Sequence, residues 1–313
     1  MCLEILEIIV QIIEIADGVH SMNLQFLVDY YRRVRGAQIP DVLYHYTKPS
    51  VVEEFFKRDA DFLCTRASHL NDGLEILAGA RLFLDYLHRN NILSHGHCSL
   101  LDSLLGVVLE KLPVVPFIMS FSMDRNSPTQ WEKYTDPTHG GFSVGFSQRE
   151  LTELINNHMQ ASLVASQLEK FTQLLCPCFY QDVDDLDGYF EASIQASCGV
   201  FEDYARIVPS EARDAKHVAA VILSAAALVK VYDATNKWHD EHEWRIVYWP
   251  AVDSLLESVV YKEDKRPRVW AGMGGVKNPD AIRGAIVSLD VRPGVCDSEN
   301  LRVRCGLLNN LRR

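Results

Sequence analysis

The run Asp240-Glu241-His242-Glu243-Trp244-Arg245-Ile246-Val247-Tyr248-Trp249 combines charge with aromatic and β-branched bulk. As a strand it sends Glu241, Glu243 and Arg245 to one face and His242, Trp244 and Ile246 to the other, because successive strand side chains point to opposite sides. Two carboxylates crowded on one face raise the pKa of one, while a neighbouring Arg holds the other ionised. That arrangement suits stabilisation of positive charge on a sugar carbon, and it equally suits an edge-strand ion pair. Downstream the chain reads as mainly β, with turns at Lys265-Arg266-Pro267, Gly272 to Gly275 and Arg292-Pro293-Gly294.

Two further polar islands lie upstream. Val114 to Ser122 reads as a strand in which Ser120 and Ser122 share a face, followed by a helix starting at Asn126-Ser127-Pro128 that carries Trp131 and Tyr134. Paired hydroxyls suit a sugar or phosphate, and Trp or Tyr suits a planar ring, although both also pack. Val42 to Tyr46 is a strand with His45 and Thr47 on one face and Tyr44 and Tyr46 on the other. Here a binding wall competes with a core histidine that has simply found a hydrogen-bond partner.

Between the islands the pattern predicts a helix at Pro49 to Arg58, a strand at Asp61 to Arg66 and a polar loop at Ser68 to Gly73. Helices are expected at Glu75 to Arg89, Leu100 to Leu112, Leu186 to Ala205 and Ser210 to Val231, and strands at Gly140 to Phe146 and Cys176 to Gln181. Ser147-Gln148-Arg149-Glu150 has capping-box spacing, opening a helix that reaches about His158. Asp182, Asp184, Asp185 and Asp187 read as a solvated loop and helix start rather than a calcium loop. The expected fold is α+β: a mixed, mostly antiparallel sheet flanked by helices, formed by one domain over 39–313 behind a helical extension over 1–38.

The 313 residues are 48% hydrophobic and 23% charged, which excludes wholesale disorder. With 31 basic against 42 acidic residues, a net charge of −11 argues against a general nucleic-acid coat, leaving room for a local basic groove. The eight cysteines include only one close pair, Cys176-Pro177-Cys178, and suit reduced thiols in a cytoplasm. The apolar start, Met1 to Ile15, is broken by Glu4, Glu7 and Glu14, so neither a signal peptide nor a membrane span is expected. A helix packed on its own domain, a non-native extension before Met22, or a surface for a partner or self-association each fits it. Metal ligands such as His69, Asp72 and Glu75, His95 and His97, or His239 and His242, match no zinc spacing, and no metal is expected.

Taken in order, Leu43-Tyr44-His45-Tyr46-Thr47, Leu70-Asn71-Asp72-Gly73-Leu74-Glu75, Ser120-Phe121-Ser122 with Trp131 and Tyr134, Gly141 and Gly145, and Glu241-His242-Glu243-Trp244-Arg245-Ile246 resemble the bacterial domain-of-unknown-function family 2971 over about Val42 to Val247. More loosely, the order His-x-Thr strand, Ser-bearing strand with an aromatic, late Glu-bearing strand is similar to ADP-ribosyltransferase-like domains. That resemblance implies NAD as substrate and an unknown protein or nucleic-acid acceptor, with a role in bacterial defence. It implies an ADP-ribosyltransferase-like split-sheet fold and puts His45, Tyr46 and Thr47 in the first NAD-contacting motif, with His45 orienting the substrate, Ser120, Ser122, Trp131 and Tyr134 in the second, and Arg245 beside a catalytic carboxylate that is Glu243 or Glu241, with Glu243 expected to stabilise the sugar cation and Glu241 to support it. The alternative is a nucleotide- or partner-binding module without chemistry.

Overall fold

A computed structural model describes residues 40–55, 62–70, 73–111, 116–135, 138, 140–154, 172–182, 184–197, 199–207, 215–231, 241–249, 259–261, 267–271 and 284–292. The expected N-terminal extension, the Asn71-Asp72 pair and the turns at Gly272 to Gly275 and Arg292-Pro293-Gly294 lie outside these residues, except for Arg292 itself.

The first half comprises β1 (Val42–Thr47), α1 (Pro49–Phe55), β2 (Phe62–Arg66), α2 (Gly73–Arg89), α3 (His95–Lys111), β3 (Phe117–Ser122), α4 (Pro128–Tyr134) and β4 (Gly141–Ser147). The second comprises β5 (Thr172–Pro177), β6 (Phe179–Tyr180), α5 (Leu186–Ala196), α6 (Val200–Ala205), α7 (Ala215–Ala226), β7 (Val229–Lys230), β8 (Glu243–Trp249), β9 (Val259–Tyr261), β10 (Pro267–Ala271) and β11 (Ile286–Arg292). The chain is thus α+β, with a mostly antiparallel sheet flanked by helices.

The nine-stranded sheet divides at β3. One edge of β3 pairs with β8 along its length, from Phe117↔Tyr248 to Ser122↔Glu243, and β8 in turn pairs with β5. Its other edge is shared: β1 meets it only at Tyr44↔Ser122, and β2 only at Thr65↔Ile118 and Arg66↔Phe117. From there β1 leads to β4 and β11, and β2 leads to β10 and β9. Where β1 departs, the Ser120 carbonyl accepts a 2.9 Å hydrogen bond from His45 Nδ1, a side-chain replacement for ladder pairing.

Register sorts the side chains into two faces. Leu43, Val144, Phe146, Phe121, Trp244 and Ile246 share an apolar face, to which α1 contributes Phe55 against Phe146 with ring centroids 5.6 Å apart. Tyr44, Ser120, Ser122, Glu243 and Arg245 share the opposite face. Three helices, α2, α3 and α7, pack on one another beside it, and α7 is buried nearly all round from Val218 to Ala226, as expected of an apolar core helix. On α2, Ile76, Ala80, Phe83 and Leu87 form the buried stripe, with Phe83 stacked on Phe190 of α5 at 4.7 Å.

Several expected elements differ. The segment from Leu186 to Ala205 is two helices, because Gly199 adopts φ +89 between them, a conformation costly to any residue with a Cβ. The Ala-rich helix ends at Ala226, and its expected continuation is β7, which pairs in parallel with β6. Helix α3 starts five residues earlier than Leu100, with Ser94 Oγ accepting from His97 N at 3.3 Å. Ser147 Oγ accepts from Glu150 N at 3.3 Å, the serine half of the expected capping box, and residues 148–154 are helical; Ser127 Oγ accepts from Gln130 N at 3.3 Å at the start of α4. In the acidic run, Asp185 caps α5 by accepting from Gly188 N at 3.0 Å.

Candidate functional site

A Lys closing an apolar run anchors the site. Ala225-Ala226-Ala227-Leu228-Val229-Lys230 carries Lys230 from the end of α7 into the interior, where its side chain is 3% exposed. A buried ammonium is tolerable only with carboxylate partners. Lys230 Nζ finds Glu75 Oε2 at 3.1 Å, Glu241 Oε2 at 3.3 Å, and Glu243 Oε2. Its three protons thus face three carboxylates.

Arg245 supplies the second cation. On β8 it is two residues from Glu243 and on the same face, so Nε reaches Glu243 Oε1 at 2.8 Å while Nη2 reaches Glu75 Oε1 at 2.6 Å. Its Nη1 donates to the Ala227 carbonyl at 2.6 Å, satisfying an acceptor just past the end of α7. The third cation is Lys133 of α4, whose Nζ donates to Glu241 Oε1 at 2.7 Å. Lys133 is 33% exposed and Glu241 1%, so this pair forms the solvent side of the cluster.

Glu75, Glu241 and Glu243 are therefore balanced by Lys133, Lys230 and Arg245, with every carboxylate oxygen accepting from a cation. Burial pushes the Glu243 carboxyl up, but Arg245 and Lys230 outweigh it and hold it well below the usual carboxylate range. Burial pulls Lys230 down, yet Glu243 and Glu75 more than compensate and keep it protonated. Tyr134 stands beside the cluster: burial, then Glu241 and Glu243, raise its phenol well above the ordinary value, so it stays neutral.

Local structure explains how the cluster assembles. Glu75 lies in the first turn of α2, where the helix dipole favours a carboxylate. Gly79, one turn on, lets α2 approach β7: a Cβ there would lie 3.1 Å from Val229 Cβ and 3.4 Å from the Ala226 carbonyl. Glu241 reaches the cluster from a short turn before β8, so the strand starts at Glu243, later than the alternation predicts. His242 between them takes φ +41, an uncommon conformation for a residue with a side chain, and its Nδ1 lies 2.8 Å from Asp124 Oδ2. Ser122 Oγ donates to the Glu241 carbonyl at 2.6 Å and accepts from Asp124 N at 3.1 Å, fixing that turn. Tyr180 Oη accepts from Glu243 N at 2.7 Å.

Of the residues singled out by sequence, Glu75, Glu241, Glu243 and Arg245 meet here, Tyr134 stands beside them, and Ser122 holds the backbone of Glu241. The others frame the site. Tyr46 Oη donates to the Asp124 carbonyl at 2.6 Å and accepts from Ser127 N at 2.9 Å, anchoring the loop before α4. Trp131 is 6% exposed, packs edge-on against Tyr46 at 5.0 Å and donates Nε1 to Asn126 Oδ1 at 2.8 Å. Ser120 is next to Arg245 across the β3–β8 pair and is partly exposed. His45 and Thr47 point to the face opposite Glu243; His45 sits against Phe55 and Phe121, and burial lowers its pKa, leaving a neutral ring with its proton on Nδ1.

Sequence reasoning passed over Lys230 and gave Lys133 no role. A lone Lys ending an apolar run was the available signal, since such a cation implies buried acids elsewhere. Among the described residues, no group of three or more His, Cys, Asp or Glu side chains is arranged to hold a metal ion, and no helix is long and apolar enough to cross a membrane. Cys64, Cys98, Cys176 and Cys178 are buried and outside any disulfide, and burial raises the Cys176 thiol to about 12, far from a reactive thiolate. Compared with protein-family models, curated proteins and solved structures, the chain has no match.

Proposed function

We propose that the cluster around Lys230 is the centre of a cytoplasmic, NAD-dependent ADP-ribosyltransferase-like activity that passes ADP-ribose to a protein or nucleic acid, or to water. One observation supports this reading: the middle and late sequence islands meet, Lys133 joining Glu241, Glu243 and Arg245 in one ionic cluster with the neutral Tyr134 beside it. Well-packed apolar residues would often be as stable or more so, and strongly perturbed ionisable groups concentrate at functional sites.

In the reaction, the bond between the ribosyl carbon and the nicotinamide nitrogen breaks and its electron pair goes to the nitrogen, releasing neutral nicotinamide. The ribosyl carbon keeps the positive charge, which a pre-organised carboxylate stabilises. An acceptor oxygen or nitrogen then bonds to that carbon and loses its proton. Glu241, on the solvent side, faces the sugar; Glu243, gripped by Arg245 and Lys230, is a positioning residue. His45 acts from the other face through the Ser120 carbonyl.

Nicotinamide release from NAD by purified protein, with and without cell extract, tests the reading. Release by the wild type and its loss in folded Glu241→Gln is expected; no release under either condition from folded protein overturns it. A second reading is favoured by the saturation of every carboxylate oxygen in the cluster: a non-catalytic nucleotide- or partner-binding module of bacterial defence. Dinucleotide binding without nicotinamide release marks that case.

A further inference from the structure

The charge of the cluster depends on one side chain. Glu75, Glu241 and Glu243 carry three negative charges, and Lys230 and Arg245, both 3% exposed or less, carry two positive ones that cannot leave without unfolding the site. Among the described residues Lys133 completes the balance, and it does so from the rim: its side chain is 33% exposed, on the last turn of a seven-residue helix, and its partner Glu241 keeps a second contact to Lys230 when Lys133 departs. With Lys133 in place the cluster is neutral; with Lys133 turned outward it holds a net charge of one negative unit in a poorly screened interior.

We propose that the Lys133–Glu241 ion pair is a latch opened by a ligand that carries a cationic ring and an anionic phosphate. This rests on the NAD reading of the site and adds to it a means of discriminating redox state. The pyrophosphate of the dinucleotide takes Lys133, and the positively charged nicotinamide ring takes the place that Lys133 vacates beside Glu241. The reduced dinucleotide offers the same phosphates with a neutral ring, so it opens the latch without repairing the charge. ADP-ribose has the phosphates and no nicotinamide ring. Lys133 is thus the phosphate-binding residue of the latch, and Glu241 is the group that reads ring charge.

Binding of oxidised NAD, reduced NAD and ADP-ribose to the full chain, measured by calorimetry, tests the latch without reference to turnover. For the wild type, oxidised NAD binds on the order of tenfold tighter than either other ligand, the effect of a charge-assisted contact of about 1.4 kcal/mol. Lys133→Met weakens all three ligands alike while retaining the preference for the oxidised form, because the phosphate partner is gone and Glu241 stays. Glu241→Gln, checked for folding by circular dichroism, abolishes the preference. Equal affinity of the wild type for oxidised and reduced NAD overturns the latch while leaving a dinucleotide site standing, and a preference retained in folded Glu241→Gln does the same. Absence of binding of all three overturns both latch and site. Preferential binding without nicotinamide release supports the latch and overturns the transfer reaction alone.

Discussion

Lys133 Nζ lies 2.7 Å from Glu241 Oε1, joining an amine at the protein surface to a carboxylate that is almost wholly buried. Through Glu241 the contact extends to Lys230, and through Lys230 to Glu75 and Glu243. Four separate stretches of chain are tied by this network: the start of α2, the end of α4, β7, and the entry to β8. It is at once a structural clasp and the candidate site.

The clasp predicts a graded response to loss of its cations. Lys230→Met leaves three carboxylates gathered around an apolar side chain and is expected to cost about 3–5 kcal/mol, the usual penalty for breaking a buried ion pair from one side. Lys133→Met, at the partly exposed edge, is expected to cost much less. Urea unfolding of the two variants checks this, and equal losses would mean that Lys230 is not the hub.

Gly79 sets how closely α2 approaches β7. Gly79→Ala gains helix propensity of up to about 1 kcal/mol against a tight contact with Val229, so it is expected to be near neutral. Gly79→Val adds carbons with nowhere to go and is expected to lose about 1–3 kcal/mol by overpacking. It also draws Glu75 away from Lys230, which would appear as reduced ligand affinity in the same variant. Thermal unfolding and the calorimetric titration together report both effects.

The neutral His45 gives a pH signature. Its folded pKa lies below that of the unfolded chain, near 6.5. Below that pH the unfolded state binds a proton that the folded state refuses, so stability present above it is lost as the pH falls through 6.5 toward the folded value. His45→Asn, which keeps a donor for the Ser120 carbonyl, is expected to flatten the fall of the urea midpoint between pH 7 and pH 5. An identical slope in both proteins would show that His45 does not titrate this way.

Much of the frame was legible because local rules and tertiary structure agree there. β1, β3 and β8 follow alternation, and the serine cap at Ser147 holds the bond its spacing predicts. The site was legible only in part. Glu243 and Arg245 share a face because a strand places them so, but Glu241 reaches the same cluster through a turn with His242 at φ +41, which no periodicity encodes. Lys230 and Glu75 are 155 residues apart, and nothing local couples them. His45 was read beside the late glutamates, yet the register that pairs Tyr44 with Ser122 and Ser122 with Glu243 sets it on the other face.

Nicotinamide release from NAD by the wild type, Glu241→Gln and Glu243→Gln, each shown to be folded and each measured with and without cell extract, decides whether the cluster is catalytic. Release by the wild type is expected, with its loss in Glu241→Gln and a smaller rate in Glu243→Gln. Full release by folded Glu241→Gln, or none by the wild type under either condition, would contradict a catalytic role for the cluster.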